Sequence, residues 1–207
     1  MLVDMIKICG VRDAEIARIS AEAGAHLIGI VFHAHSPRYV NIDQAIAISS
    51  AAKNAGALPV AVFVNQTDID MRAICEAADI QIVQLHGTPA RAHHHLLPDE
   101  YQRIYVLNVA ENGELVTDKG LQYLNPERDM ILIDHHDPGE GKMINFTGFN
   151  YPFQFPWLLA GGLTPDNVAT MVDALQPHGV DVSSGVEVSK GQKDISLIKQ
   201  FITVVKK

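Results

Sequence analysis

Trp157-Leu158-Leu159-Ala160-Gly161-Gly162, then Thr164-Pro165 on to Leu175, then Val180-Asp181-Val182-Ser183-Ser184-Gly185: this stretch decides the fold. Two short aliphatic runs, each closed by glycine, flank a segment with helical spacing. Continuous apolar runs of this length suit strands covered on both faces, as in a parallel sheet. Thr164 is placed to cap a helix over 165–175, with Pro165 in the first turn, where no backbone donor is needed. The unit is strand, helix, strand, with polar and glycine residues where each strand ends.

The same unit recurs toward the amino terminus. Further apolar runs are Met5–Cys9, Leu27–Phe32, Pro59–Val64, Ile80–Leu85, Ile104–Leu107 and Met130–Ile133. Between them, helices are expected over 11–23, 42–55, 67–78 and 114–124, with a last one over 195–205 after the eighth strand. Asn41 is an N-cap, and Gly24 and Gly56 are stops. The stretch 144–156, rich in aromatics, Gly and Pro, is expected to hold only a short or distorted helix. Strand and helix thus alternate about eight times over 207 residues, roughly 26 per unit, which fits a single (β/α)8 TIM barrel spanning residues 1–207. A doubly wound open sheet would more naturally carry a Gly-rich fingerprint after its first strand, and Cys9-Gly10-Val11-Arg12 is not one.

Composition narrows the function. A hydrophobic content of 47% with 19% charged residues describes a chain with a large core, not a disordered one. The net charge of -8 argues against a nucleic-acid platform, though a small anion needs only a local positive site. Two cysteines, Cys9 and Cys75, cannot build a disulfide framework and point to a reducing compartment. No run approaches the roughly 20 apolar residues that span a bilayer, and the first residues do not resemble a signal peptide. The expected location is the cytoplasm, without membrane partners, as a monomer or homodimer.

In such a barrel, function lies at the C-terminal ends of the strands. The residues placed there are Cys9, Arg38, Asn65, Gln84, His86, Asp134, Gly161-Gly162, and Asp181 with Ser183-Ser184-Gly185. The two Gly-containing ends point to phosphate, bound by Gly161, Gly162, Ser184 and Gly185 through backbone N–H groups at the seventh and eighth strands. A helix N-terminus after Gly185 is expected to add its dipole. The period of two along the first strand turns Lys7 and Cys9 inward if Ile6 and Ile8 face the helices. A lysine inside a barrel requires a carboxylate, and Asp181 on the neighbouring eighth strand is the candidate, placing positive charge near Cys9. His93-His94-His95 is expected at the surface, because adjacent residues project apart and rarely chelate one ion. His135-His136 and His33, His35 belong to mouth loops. His86 is the best placed of the ten histidines for a substrate contact, and Cys75 is expected to pack.

Several blocks in this order resemble phosphoribosylanthranilate isomerase. They include Lys7-Ile8-Cys9-Gly10, Ser36-Pro37-Arg38-Tyr39-Val40, Val62-Phe63-Val64-Asn65, Gln84-Leu85-His86-Gly87 and Ile133-Asp134. To these are added Gly141-Lys142, Gly161 to Val168, Asp181 to Glu187 and Gly191-Gln192-Lys193-Asp194. The resemblance implies an Amadori rearrangement of N-(5-phosphoribosyl)anthranilate to 1-(2-carboxyphenylamino)-1-deoxyribulose 5-phosphate, a step of tryptophan biosynthesis. It implies one acid, one base, no cofactor and no metal. On matching positions Cys9 is the general base, Asp134 the general acid and Arg38 the partner of the anthranilate carboxylate; His86 and Asp181 are expected substrate contacts from their places at strand ends, apart from the resemblance.

A thiol starts near 8.5 and serves better if cationic neighbours lower it; Asp134 must hold its proton through apolar surroundings or through substrate. The chain departs from the family at Met143-Ile144-Asn145-Phe146 and at Leu107, on the rim. Rival readings are a ribulose-phosphate epimerase, which would want metal-binding histidines, and the histidine-pathway isomerase, which would want an aspartate at Cys9. A non-catalytic phosphometabolite-binding barrel is a third.

Overall fold

The computed structural model describes residues 3–109, 115–116, 119–135, 149 and 151–207. Eight parallel strands form the barrel: β1 Met5–Cys9, β2 Leu27–Val31, β3 Leu58–Phe63, β4 Ile82–Leu85, β5 Gln102–Val109, β7 Met130–His135, β8 Trp157–Leu159 and β9 Gly179–Val182. Their order is β4-β3-β2-β1-β9-β8-β7-β5, and pairing of β4 with β5 closes the ring. A two-residue strand, β6 Leu115–Val116, runs antiparallel to the end of β5. A hairpin of β10 Glu187–Ser189 and β11 Gln192–Lys193 follows the last barrel strand.

Local chemistry sets the helix limits. Helix α1 Ala14–Ala23 starts where Asp13 accepts from the Ile16 amide and stops at Gly24, whose φ of 113° lies in the left-handed region. Capping boxes start α2 Ile42–Asn54, through Asn41 and Gln44, and α3 Asp68–Ala78, through Thr67 and Asp70. A short helix α4 Thr88–His93, unforeseen from the sequence, precedes β5. Among the described residues, helices α5 Val168–Leu175 and α6 Ile195–Val205 complete the set, the latter capped by Asp194.

Three expectations are corrected. Helix α5 begins at Val168 rather than Pro165, because Asn167 ties the preceding loop into a turn: its Oδ1 accepts from the Thr164 amide at 2.8 Å and its Nδ2 donates to Gly162 O at 2.9 Å. The helix expected over 114–124 is replaced, where described, by β6 and a 3-10 segment over Lys119–Tyr123. No α-helix starts directly at Gly185; Ser184–Val186 is a single 3-10 turn leading into β10, too short to develop a useful dipole. Of the weak segment 144–156, residues 144–148 and 150 lie outside the described residues, and 151–156 are not helical.

The pleat sorts side chains into two layers. Ile6, Ile8, Ala61, Phe63, Val83, Leu85, Ile131 and Ile133 face outward into the core under the helices. Leu27, Val60, Ile82, Ile104, Val106, Leu132 and Leu158 fill the barrel interior. Above them, Cys9 packs with Val31 and Val62. The period that fills the interior therefore also delivers Cys9, Gln84 and Asp134 to its upper rim.

Candidate active site

A pocket of about 320 Å³ opens at the C-terminal mouth, its floor of Val31, Val62 and Val64 ringed by Cys9, Arg38, Gln84, His86, Asp134 and Asp181. Five of the site residues expected from sequence thus meet in one cavity: Cys9, Arg38, His86, Asp134 and Asp181. His33 lines it too, while His35 is exposed. Gly161, Gly162, Ser184 and Gly185 lie outside this lining, in the loops after β8 and β9.

Lys7 is fully buried and donates to Asp181 Oδ1 at 2.8 Å, across the β1–β9 pairing that sets the two residues opposite each other. Burial works to strip Lys7 of its proton, but Asp181 and Cys9 outweigh it and hold the ammonium above its ordinary pKa. At Cys9 the cationic neighbours act in the expected direction but do not prevail. Burial pushes its thiol up, and Lys7 and Lys193 only partly offset this while Asp181 adds to it. Cys9 is therefore a thiol at neutral pH, and Lys7 limits the cost of making it a thiolate.

Gly29 stands opposite Cys9 in the β1–β2 register. A Cβ there would lie 2.7 Å from Cys9 Sγ and 3.1 Å from Lys7 Nζ, so sulfur and ammonium share the space that the glycine leaves.

On the far side, Asp134 lies one residue before the end of β7, buried above Leu132. His86 Nε2 lies 3.7 Å from Asp134 Oδ2, and Gln84 Nε2 lies 3.4 Å from His86 Nδ1. Burial is the main cause that pushes the His86 pKa down to about 4, so its imidazole is neutral at pH 7 and the contact with Asp134 is not an ion pair. Among the described residues, no cluster of His, Cys, Asp or Glu is arranged to hold a metal ion.

Arg38 is buried, and its Nε and Nη2 fork Glu187 Oε1 and Oε2 at 2.8 and 2.9 Å. This fork occupies the side edge of the guanidinium; the end edge, Nη1 with the second hydrogen of Nη2, remains. Lys193 joins the group, donating to Glu187 Oε1 at 2.8 Å and to Ser183 O at 2.9 Å, while Ser183 Oγ donates to Cys9 O at 3.1 Å. Burial alone would raise the Glu187 pKa, but Arg38 and Lys193 reverse that and lower it. Sequence reading quoted Glu187 and Lys193 without assigning them roles; the signal was their place just past the eighth strand's glycine.

In the loops, Gly161 and Gly162 take positive φ of 85° and 68°, and their amides donate to no described residue. Gly185 is a glycine for another reason: a Cβ there would fall 1.8 Å from Leu163 O, so the two loops pack backbone against backbone. The histidine triplet is not a surface feature throughout. His94 is fully buried, its Nε2 bonded to Gly120 O at 3.0 Å and its ring edge-on to Tyr105, whereas His93 approaches Asp68 and His95 stacks on Tyr123. Cys75 packs in the outer core, as expected. The side chain of His135 and all of His136 lie outside the described residues.

Fold and pocket define a (β/α)8-barrel enzyme whose ionisable groups converge at the strand ends. The model of N-(5'-phosphoribosyl)anthranilate (PRA) isomerase matches residues 6–204. The isomerase of that name from Chlamydia caviae is 42% identical over 204 residues, covering 98% of this chain and 97% of the relative. The crystal structure of phosphoribosyl anthranilate isomerase from Thermotoga maritima superposes with a TM-score of 0.82 at 32% identity, covering 100% and 99% of the two chains. A phosphoribosyl anthranilate isomerase in complex with reduced 1-(o-carboxyphenylamino)-1-deoxyribulose 5-phosphate gives 0.76 at 31%, with 100% and 99% covered. The chain belongs to the N-(5'-phosphoribosyl)anthranilate isomerase family.

Proposed function

We propose that this chain isomerises N-(5-phosphoribosyl)anthranilate to 1-(2-carboxyphenylamino)-1-deoxyribulose 5-phosphate by general acid–base catalysis, within tryptophan biosynthesis. The observation that carries the residue assignment is the meeting of Cys9 and Asp134, from β1 and β7, in one pocket that Arg38 also lines. Asp134 protonates the ribose ring oxygen as the ring opens to the iminium. Cys9, in its thiolate form, then takes the C2 proton and becomes a thiol, and the enolamine tautomerises to the amino-ketone. Atoms and electrons balance without any redox partner. Lys7 stabilises the thiolate that must be present before that step, which the buried site otherwise opposes. Asp181 holds Lys7 in place and borders the sugar, and neutral His86 offers it a hydrogen bond.

The free edge of Arg38 takes the anthranilate carboxylate, and the loop amides of Gly161, Gly162, Ser184 and Gly185 take the phosphate. The unpaired amides of Gly161 and Gly162 support that last assignment. Two free cysteines suit a reducing compartment such as the cytoplasm, and among the described residues no helix is long and apolar enough to cross a membrane.

The test follows the loss of anthranilate fluorescence from the substrate. Cys9→Ala and Asp134→Ala should each lower kcat on the order of 10²–10⁴-fold with thermal melting unchanged. Near-normal kcat in either folded variant would remove that residue from its role.

A further inference from the structure

Glu187 sits beside the pocket but does not line it, and its surroundings say why it is there. Its carboxylate accepts four hydrogen bonds: Arg38 Nε and Lys193 Nζ on Oε1, Arg38 Nη2 and the Gly191 amide on Oε2. The side chains of Glu187, Arg38 and Lys193 are only 3%, 9% and 2% exposed. With about four lone-pair sites on a carboxylate, none is left for substrate, so Glu187 has no part in proton transfer. Counting charges, Arg38 and Lys193 against Glu187 leave the cluster at +1, a value that one bound carboxylate would neutralise.

We infer that Glu187, presented by the β10–β11 hairpin, is a positioning residue that clamps the side edge of Arg38 so that the end edge meets the aryl carboxylate of the substrate. The inference rests on the assignment of Arg38 as the carboxylate partner and extends it to the specificity of the site. The geometry is decisive because a guanidinium can fork two carboxylates at once only on two different edges. Glu187 occupies one edge and thereby dictates the direction of the other. It also bridges two cations, both of which donate to its Oε1. Without that anion Arg38 and Lys193 repel at short range, and Arg38, on a loop at the mouth, is the one able to leave. Clamping removes most of the rotamer freedom that a long side chain would otherwise lose on binding. Removing the negative charge would by itself favour any anion; the loss of a directed edge opposes this for the carboxylate alone.

The experiment compares two ligands by titration calorimetry: reduced 1-(2-carboxyphenylamino)-1-deoxyribulose 5-phosphate and its analogue with phenylamino in place of carboxyphenylamino. Their affinity ratio isolates the carboxylate, while the shared phosphosugar serves as internal control. In the natural chain the ratio should be on the order of tenfold to a hundredfold, the value of a charge-assisted pair. Glu187→Gln should collapse it to within about threefold, leave the phenylamino analogue bound normally, and raise KM far more than it lowers kcat. The double variant with Arg38→Ala should be no worse than Arg38→Ala alone.

A merely structural role would weaken both ligands together and lower melting. A full ratio in Glu187→Gln, with a collapsed one in Arg38→Ala, would overturn the inference and leave Arg38 in place. A full ratio in Arg38→Ala would instead remove the assignment beneath it. Should Glu187→Gln not fold, Glu187→Asp, which keeps the charge but retracts it by one methylene, should reduce the ratio; a full ratio there overturns the inference too.

Discussion

Replacing Lys7 by Met separates what the buried ion pair does for the fold from what it does for the thiol. Lys7 is fully buried, and its ammonium lies 2.8 Å from Asp181. Deleting one partner strands a buried carboxylate, which costs about 3–5 kcal/mol. For a chain of this size that is a fall in Tm of roughly 6–20 °C. Removing both charges, in Lys7→Met with Asp181→Leu, should restore most of that stability, because an apolar pair of similar volume leaves nothing unpaired.

Catalysis should not recover with it. An ammonium about 4 Å from a thiolate is worth about 4 kcal/mol at an effective dielectric of 20, and Asp181, somewhat farther away, cancels half or more of that. The residue is between one and two kcal/mol, about one pKa unit. Since burial already holds the Cys9 pKa above its ordinary value, activity should rise with pH on the alkaline side. In the double variant that rise should move up by about one unit, with kcat/KM near neutrality falling about tenfold. Loss of a sugar contact from Asp181 would lower kcat/KM equally at every pH, so the position of the limb reports on Cys9. Chemical denaturation and a pH–rate profile read the two effects. A double variant as unstable as the single one would refute the pairing argument. An unmoved alkaline limb would refute the link to the thiol.

Three further outcomes are expected. Gly29→Ala places a methyl group 2.7 Å from Cys9 Sγ and 3.0 Å from its Cα, so β1 and β2 must part; stability should fall by about 1–3 kcal/mol and kcat at least tenfold, and wild-type stability and kcat in this variant would refute the packing argument. Burial pushes the His94 pKa down to about 4, so between pH 6.5 and 4 the unfolded chain holds the extra proton. Stability should therefore drop with acid across that window by roughly 3 kcal/mol for this residue, and His94→Phe should flatten that part of a urea-denaturation series, with an unchanged slope counting against the assignment. Gly185→Ala would drive a Cβ into Leu163 O, so substrate binding should weaken through displacement of the 161–164 loop; a folded variant with normal KM would show that the loop packing is irrelevant to the site.

The barrel was legible from the chain because it is written in local periods. Continuous aliphatic runs closed by polar or glycine residues announce buried parallel strands, and the period of two within β1 already separates Ile6 and Ile8 from Lys7 and Cys9. Even the Lys7–Asp181 pair, 174 residues apart, followed once closure was assumed, because a buried ammonium has to find a carboxylate and closure puts the last strand beside the first. Tertiary structure alone decided the rest. The sign of the Cys9 shift depends on how completely the pocket buries sulfur, a sum over β1, β2 and β9 that no local pattern carries. The Arg38–Glu187 fork joins residues 149 apart through a hairpin whose turn chemistry does not name its partner. His94 looked like one of three adjacent polar residues, yet helix α4 and the 3-10 turn after it rotate this one ring inward to Gly120 and Tyr105 and leave its neighbours nearer solvent. Strand period is a property of the backbone and survives in any context, whereas charge balance, pKa and side-chain partnership depend on which surfaces meet when the ring closes.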